Sequence, residues 1–191
     1  MKKSQSWYED IVTKEWGRYS KGAYAERDRI LTSMLKLYSP RRIFEPCGAE
    51  GFLARVIVES IPSIEEYIIS EFVHYAVERM TKDLADLPKI TVKLIDIDEE
   101  YTDIDFRRFD LFVCTAFEHL VNDREILQVL PQGIKVALCL PNFGGHSHLR
   151  LFKSFEEIEA RYGDLIQILE RKEVIRGTRR LVIGTRKVHG D

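Results

Sequence analysis

The chain has 191 residues, 45% of them apolar and 31% charged, with a net charge of −2. These are ordinary globular values for one domain, 1–191, and they argue against a wholesale nucleic-acid-binding surface. No apolar run approaches the roughly 20 residues needed to span a bilayer, and Met1–Trp7 lacks the apolar stretch of a signal peptide. Cys47, Cys114 and Cys139 form no CxxC pair, and each sits in or just after an apolar run. They read as small buried hydrophobes in a reducing compartment, so the cytoplasm is the expected location.

The first 26 residues are rich in aromatics: Trp7, Tyr8, Trp16, Tyr19 and Tyr24. Ile11, Val12 and Trp16 fall at helical spacing, which predicts an amphipathic N-terminal extension, either packed on the domain or laid across a ligand site as a lid. Ile30, Leu31, Met34, Leu35 and Leu37 predict a second helix over 27–38, broken by Ser39-Pro40. A short apolar run from Arg42 ends in the acidic Glu45 as a first strand, passes the loop Pro46-Cys47-Gly48-Ala49-Glu50-Gly51, and a helix follows from Phe52 to Ser60. The order strand, small-residue loop, helix suits a loop whose backbone a ligand approaches closely. A second strand ends in Glu71, twenty residues past Gly51, and its helix continues through Val77, Met80 and Leu84 until Leu87-Pro88. A carboxylate at that place and spacing can accept hydrogen bonds from a ribose diol.

A β-branched run over 90–95 is a third strand and ends in Asp96-Ile97-Asp98. The fourth strand, 109–114, leads into Thr115-Ala116-Phe117-Glu118-His119-Leu120. A helix over 124–130, a turn at Pro131-Gln132-Gly133 and a fifth strand over 134–140 come next, ending in Pro141-Asn142. The loop 144–152 carries His146, His148 and Arg150. A helix over 155–162, closed by Gly163, precedes two strands around 165–174 and 180–185, and Arg176-Gly177-Thr178 between them suggests an antiparallel hairpin. Alternating strands and helices imply an α/β fold, a mostly parallel sheet with helices on both faces.

Over 27–187 the chain resembles the class I S-adenosylmethionine-dependent methyltransferases. Their first motif reads acidic-x-Gly-x-Gly-x-Gly, matched here by Glu45, Gly51 and the spacing, while Cys47 and Ala49 stand where that family usually has glycine. Glu71-Phe72-Val73-His74-Tyr75-Ala76-Val77-Glu78-Arg79 follows the family's second motif. The Glu-His-Leu stretch after the fourth strand and the Pro-Asn pair after the fifth also recur there. The resemblance implies a three-layer sandwich with a seven-stranded sheet of order 3-2-1-4-5-7-6, the last strand antiparallel. It implies S-adenosylmethionine as cofactor, with S-adenosylhomocysteine as product, held by Glu45, Cys47, Gly48, Ala49, Gly51, Glu71, Phe72, Asp96, Ile97 and Thr115. Asp96 is preferred to Asp98 as the adenine acceptor because Asp110 follows it at the family's usual interval.

A hydroxyl or amine acceptor must lose a proton, and His119, following the fourth strand, is the imidazole placed to take it. Equally, Glu118-His119 could merely start or cap a helix. His146, His148 and Arg150 are expected to hold a small-molecule substrate, Arg150 by bidentate pairing with an anionic group. His, His and Glu could in principle ligate a divalent metal. In the small-RNA 3′-end 2′-O-methyltransferases, however, a Glu-x-x-Glu-His pattern does this, and Thr115 replaces its first Glu here, so no metal is expected. Three other readings stay open: a metal-assisted RNA-end methyltransferase, a catalytically silent methyltransferase-fold scaffold, and a NAD-dependent oxidoreductase. The Glu-His-Leu and Pro-Asn stretches speak against the last. No membrane partner is expected.

Overall fold

The computed structural model describes residues 4–144 and 148–188. Seven strands form one sheet: β1 (Arg42–Pro46), β2 (Glu66–Glu71), β3 (Ile90–Leu94), β4 (Leu111–Cys114), β5 (Lys135–Pro141), β6 (Ile166–Val174) and β7 (Arg179–Arg186). Their order is β3-β2-β1-β4-β5-β7-β6. The β1–β2, β2–β3 and β4–β5 pairs are parallel, and β7 runs antiparallel to both β5 and β6. This is the sheet order that the resemblance implied. The helices are α1 (Gln5–Glu15), α2 (Gly22–Leu35), α3 (Phe52–Ser60), α4 (His74–Asp83), α5 (Ile97–Glu100), α6 (Asp123–Val129) and α7 (Phe155–Tyr162). Among the described residues, no helix is long and apolar enough to cross a membrane.

The contacts divide the chain after Ile97 into two compact units. In the first, α1 starts at Ser4, whose Oγ accepts from the Trp7 N–H at 3.3 Å, and α2 starts at Gly22 rather than near Arg27. The small residues of its first turn show no apolar period, yet Ala25 in that turn is buried. Inner strand β1 is buried on both faces beyond its first residue, as a doubly covered strand must be, whereas outer β3 alternates with solvent. Ile43, Ile57, Tyr67, Ile69, Ala76 and Met80 build the core.

In the second unit β4, β5 and β7 are the buried strands and β6 is the exposed edge, with an irregularity between Ile168 and Glu170. The acidic stretch after Asp98 folds into short helical turns instead of an open loop. The α7 helix has the expected bounds because Ser154 caps it, accepting from the Glu157 N–H at 3.4 Å. In the core Phe112 packs edge-on against Phe117 and Phe117 against Tyr162, and Leu127, Leu138 and Ile183 are fully buried.

Candidate functional site

In the first unit the chain leaves β1 through a loop with three left-handed residues, Cys47 (φ 57°), Ala49 (φ 50°) and Gly51 (φ 71°). These are the three positions of the glycine motif. A side chain in that region costs about 1–2 kcal/mol, so packing imposes the path on Cys47 and Ala49. Gly48 between them shows how: a Cβ there would sit 2.2 Å from Ile69 Cγ1. The Gly48 N–H donates to the Ser70 carbonyl at 3.0 Å, fastening the loop to β2. No side chain caps α3, so its first N–H groups are offered to a ligand above the loop.

Glu71 ends β2 and is buried. Its Oε2 accepts from the Ala49 N–H at 3.2 Å and its Oε1 from the Phe72 N–H at 2.9 Å. Burial pushes its pKa up, and the N–H groups of Phe72, Ala49 and Val73 oppose the shift. A carboxylate has about four lone-pair sites, and with three N–H groups on it Glu71 keeps capacity for a further donor such as a ribose hydroxyl. Glu45 is buried beneath the loop and accepts from the Tyr67 hydroxyl at 2.6 Å. Burial pushes its pKa to about 8, so it is mostly protonated at neutral pH.

The N-terminal extension reaches both loops. Glu50 Oε1 accepts from the N–H groups of Arg18 (2.9 Å) and Tyr19 (3.2 Å). Gln5 Nε2 donates to the Phe72 carbonyl at 3.1 Å, and Tyr8 meets the half-buried Phe72 ring edge-on at 5.1 Å. Neither Gln5 nor Glu50 belongs to a sequence pattern that could have marked it. Asp96, past the end of β3, is half-buried, and Ile97 is buried.

In the second unit Asp98 is committed internally: its Oδ1 accepts from the Asn122 N–H at 3.0 Å. Thr115 is half-buried directly after β4. Phe117–His119 form a 3₁₀ turn rather than the start of an α-helix. That turn drives Glu118 inward to complete burial, where Arg179 Nη1 donates to its Oε1 at 2.6 Å. The Nε2 atoms of His119 and His148 each lie 3.5 Å from the same oxygen, and the two rings meet edge-on at 5.1 Å. His148 is held from its other side, where Nδ1 donates to the Phe143 carbonyl at 3.0 Å. Its burial lowers its pKa, so the ring is neutral at pH 7. The Leu149 N–H donates to the Glu118 carbonyl at 3.1 Å, fixing the loop on the turn. Ligating atoms of Glu118, His119 and His148 all lie within 4.8 Å of one another.

The structure therefore brings His119 and His148 together around the Glu118 carboxylate. Arg150 is spent inside the fold. Its guanidinium donates to the Leu120 and Val121 carbonyls and pairs with the buried Asp123 at 2.9 Å, so its bidentate face is turned to the protein. His146 lies outside the described residues. Arg179 carried no motif and becomes visible only through the hairpin, whose β7 sets it opposite Pro141 at the end of β5.

No family model matches the chain, and no curated protein matches it. Solved structures do. It is similar to the CurJ carbon methyltransferase, with a TM-score of 0.76 and 11% identity over 94% of this chain, which spans 59% of that one. It is similar to the N-methyltransferase NodS from Bradyrhizobium japonicum WM9, solved in complex with S-adenosyl-L-homocysteine, with a TM-score of 0.71 and 15% identity over 93% of this chain and 97% of that one. A SAM-dependent methyltransferase from Aquifex aeolicus gives a TM-score of 0.69 and 11% identity over the same shares. With the strand order, these likenesses show that the chain has the class I methyltransferase fold.

Proposed function

We propose that a chain with this fold serves as an S-adenosylmethionine-dependent methyltransferase acting on a hydroxyl or amine of a small molecule. One observation carries the reading: Cys47 and Ala49 keep the left-handed backbone of a glycine loop although neither is glycine. Such strain persists where the surrounding structure enforces it and is characteristic of ligand sites. The residues present fit the cofactor, because the loop turns tightly beneath an uncapped helix and Glu71 retains a lone pair for a ribose hydroxyl.

When bound, S-adenosylmethionine supplies a methyl group activated on a sulfonium. The protein's task is to hold the acceptor in line with it and to exclude water. Glu71 and the Cys47–Gly51 loop orient the nucleoside, and α1 and the Arg18–Tyr19 segment cover the loops through Phe72 and Glu50. The acceptor's proton is handled at the Glu118–His119–His148 group, where His119 is the more exposed imidazole. Arg150 takes a supporting part, bracing the turn that carries His119.

The test is methyl transfer from labelled S-adenosylmethionine to a panel of small alcohols, phenols and amines, read as S-adenosylhomocysteine formation. Turnover of one acceptor class, lost in His119→Ala, supports the reading. Tight cofactor binding with no turnover of any acceptor would favour a silent scaffold.

A further inference from the structure

We propose that Phe143 is the platform on which the methyl acceptor's ring lies, and that the acceptor is a small phenol. The inference deepens the methyl-transfer reading and rests on it. Phe143 stands two residues past the end of β5 and is 42% exposed. It is the only aromatic among the exposed large apolar side chains of the described residues. A lone exposed apolar residue is ordinary at a protein surface, but this one is held from two sides. The Arg179 guanidinium lies over its ring, 5.6 Å from the centroid, while Arg179 Nη1 is itself fixed on the buried Glu118. The His148 ring meets it edge-on at 5.4 Å, and His148 Nδ1 donates to the Phe143 carbonyl at 3.0 Å. An exposed ring whose orientation is fixed before a ligand arrives loses little freedom on binding one.

The surroundings support the same reading. Ring contacts run from Phe143 through His148 to His119, the last at 5.1 Å, so the platform ends at the imidazole assigned to the acceptor's proton. Val121 and Leu151, also exposed, lie on the turn after β4 and the loop after β5. Arg150 draws those two segments together, its Nη2 donating to the Val121 carbonyl at 2.9 Å. Apolar surface is thus gathered on the two segments that carry His119 and His148, instead of being scattered singly.

Chemistry selects a phenol among apolar molecules. A flat ring gains from the quadrupole of Phe143 beyond the area it buries, and a saturated ring does not. Proton affinity makes a second distinction. A phenol, with a pKa of about 10, lies within about four pH units of an imidazole, whereas an aliphatic hydroxyl resembles water at about 15.7, roughly nine units away. An imidazole therefore relieves the first of its proton far more readily than the second. The phenolic oxygen forms its bond to the methyl carbon as the carbon–sulfur bond of the sulfonium breaks. The electron pair of that bond stays on sulfur, and the hydroxyl proton passes to His119.

The experiment is NMR titration of the full chain with 4-methylphenol and with 4-methylcyclohexanol, probes of similar size that differ in the ring, each with and without S-adenosylhomocysteine. The phenol should bind the more tightly. Phe143→Leu keeps apolar bulk without a π face, so it should weaken the phenol about 2–10-fold and leave the saturated alcohol unchanged. Phe143→Tyr should keep the preference. Absence of phenol binding, equal affinity of the two probes for wild type, or a phenol affinity unchanged in Phe143→Leu would overturn the proposal. S-adenosylhomocysteine titrated alone reports on the methyl-transfer reading. Its failure to bind would remove that reading, while the probe titrations made without it still decide whether Phe143 selects a ring.

Discussion

The main-chain N–H of Ala49 donates to Glu71 Oε2 at 3.2 Å, joining the loop after β1 to the acidic tip of β2. The bond aims the Glu71 carboxylate while using one of its lone pairs. It also holds Ala49 at φ 50°, a conformation alanine adopts only under constraint. Shape and chemistry of this loop thus depend on one another.

Neighbouring loop positions should respond oppositely to a single methyl group. Ala49→Gly relieves about 1–2 kcal/mol of left-handed strain but adds about 0.5–1 kcal/mol of unfolded-chain entropy. It should therefore leave stability unchanged or raise it slightly. Gly48→Ala drives a Cβ to 2.2 Å from Ile69 Cγ1, and such overpacking costs about 1–3 kcal/mol. Urea unfolding of the two variants checks the contrast.

Glu45 should make stability depend on pH. Its folded pKa is raised from 4.5 to about 8, chiefly by burial. Its contribution is therefore fully present below pH 4.5 and is lost as pH rises through about 8, at up to about 1.4 kcal/mol per pH unit. Glu45→Gln keeps an acceptor for the Tyr67 hydroxyl and removes the titration. Denaturant unfolding at pH 5 and pH 8.5 should show a smaller loss in the variant than in wild type.

Asp123 is the anchor of the second unit. Buried, it accepts from Arg161 through both oxygens (2.7 and 2.8 Å) and from the Tyr162 hydroxyl (2.6 Å), and it pairs with Arg150 at 2.9 Å. Removing one partner of a buried ion pair costs about 3–5 kcal/mol. Asp123→Ala should lose stability on that scale by chemical denaturation.

Much of the fold was legible because its signals are local. A β-branched run marked β3 and apolar runs its parallel neighbours, while Gly163 closed α7. The loop of the first unit stood out as a motif, since Glu45, Gly51 and Glu71 lie within one strand–loop–helix–strand segment. The Glu118 group of the second unit depends on residues distant in sequence. Glu118 and Arg179 meet across 61 positions, and nothing near either one announces the pair. Arg150 shows the opposite error. A loop arginine beside histidines reads as a substrate clamp, but the carbonyls that consume it lie 29 and 30 residues earlier. Whether an arginine faces solvent or the fold is decided by tertiary neighbours.

His119→Ala should lower turnover of an identified acceptor by about 10²–10⁴-fold, the usual worth of assisted proton transfer. Cofactor affinity should remain nearly constant, because His119 makes its contacts with Glu118 and His148. Steady-state kinetics beside S-adenosylhomocysteine titration separates the two effects.

The most direct measurement is calorimetric titration of S-adenosylhomocysteine into wild type and Glu71→Ala, with folding of the variant confirmed by circular dichroism. A charged hydrogen bond contributes about 1.5–3 kcal/mol, or roughly a tenfold to hundredfold change in Kd. The account predicts one saturable site in wild type, weakened on that scale in the variant. Absence of binding to wild type, or equal affinity in both proteins, would contradict it.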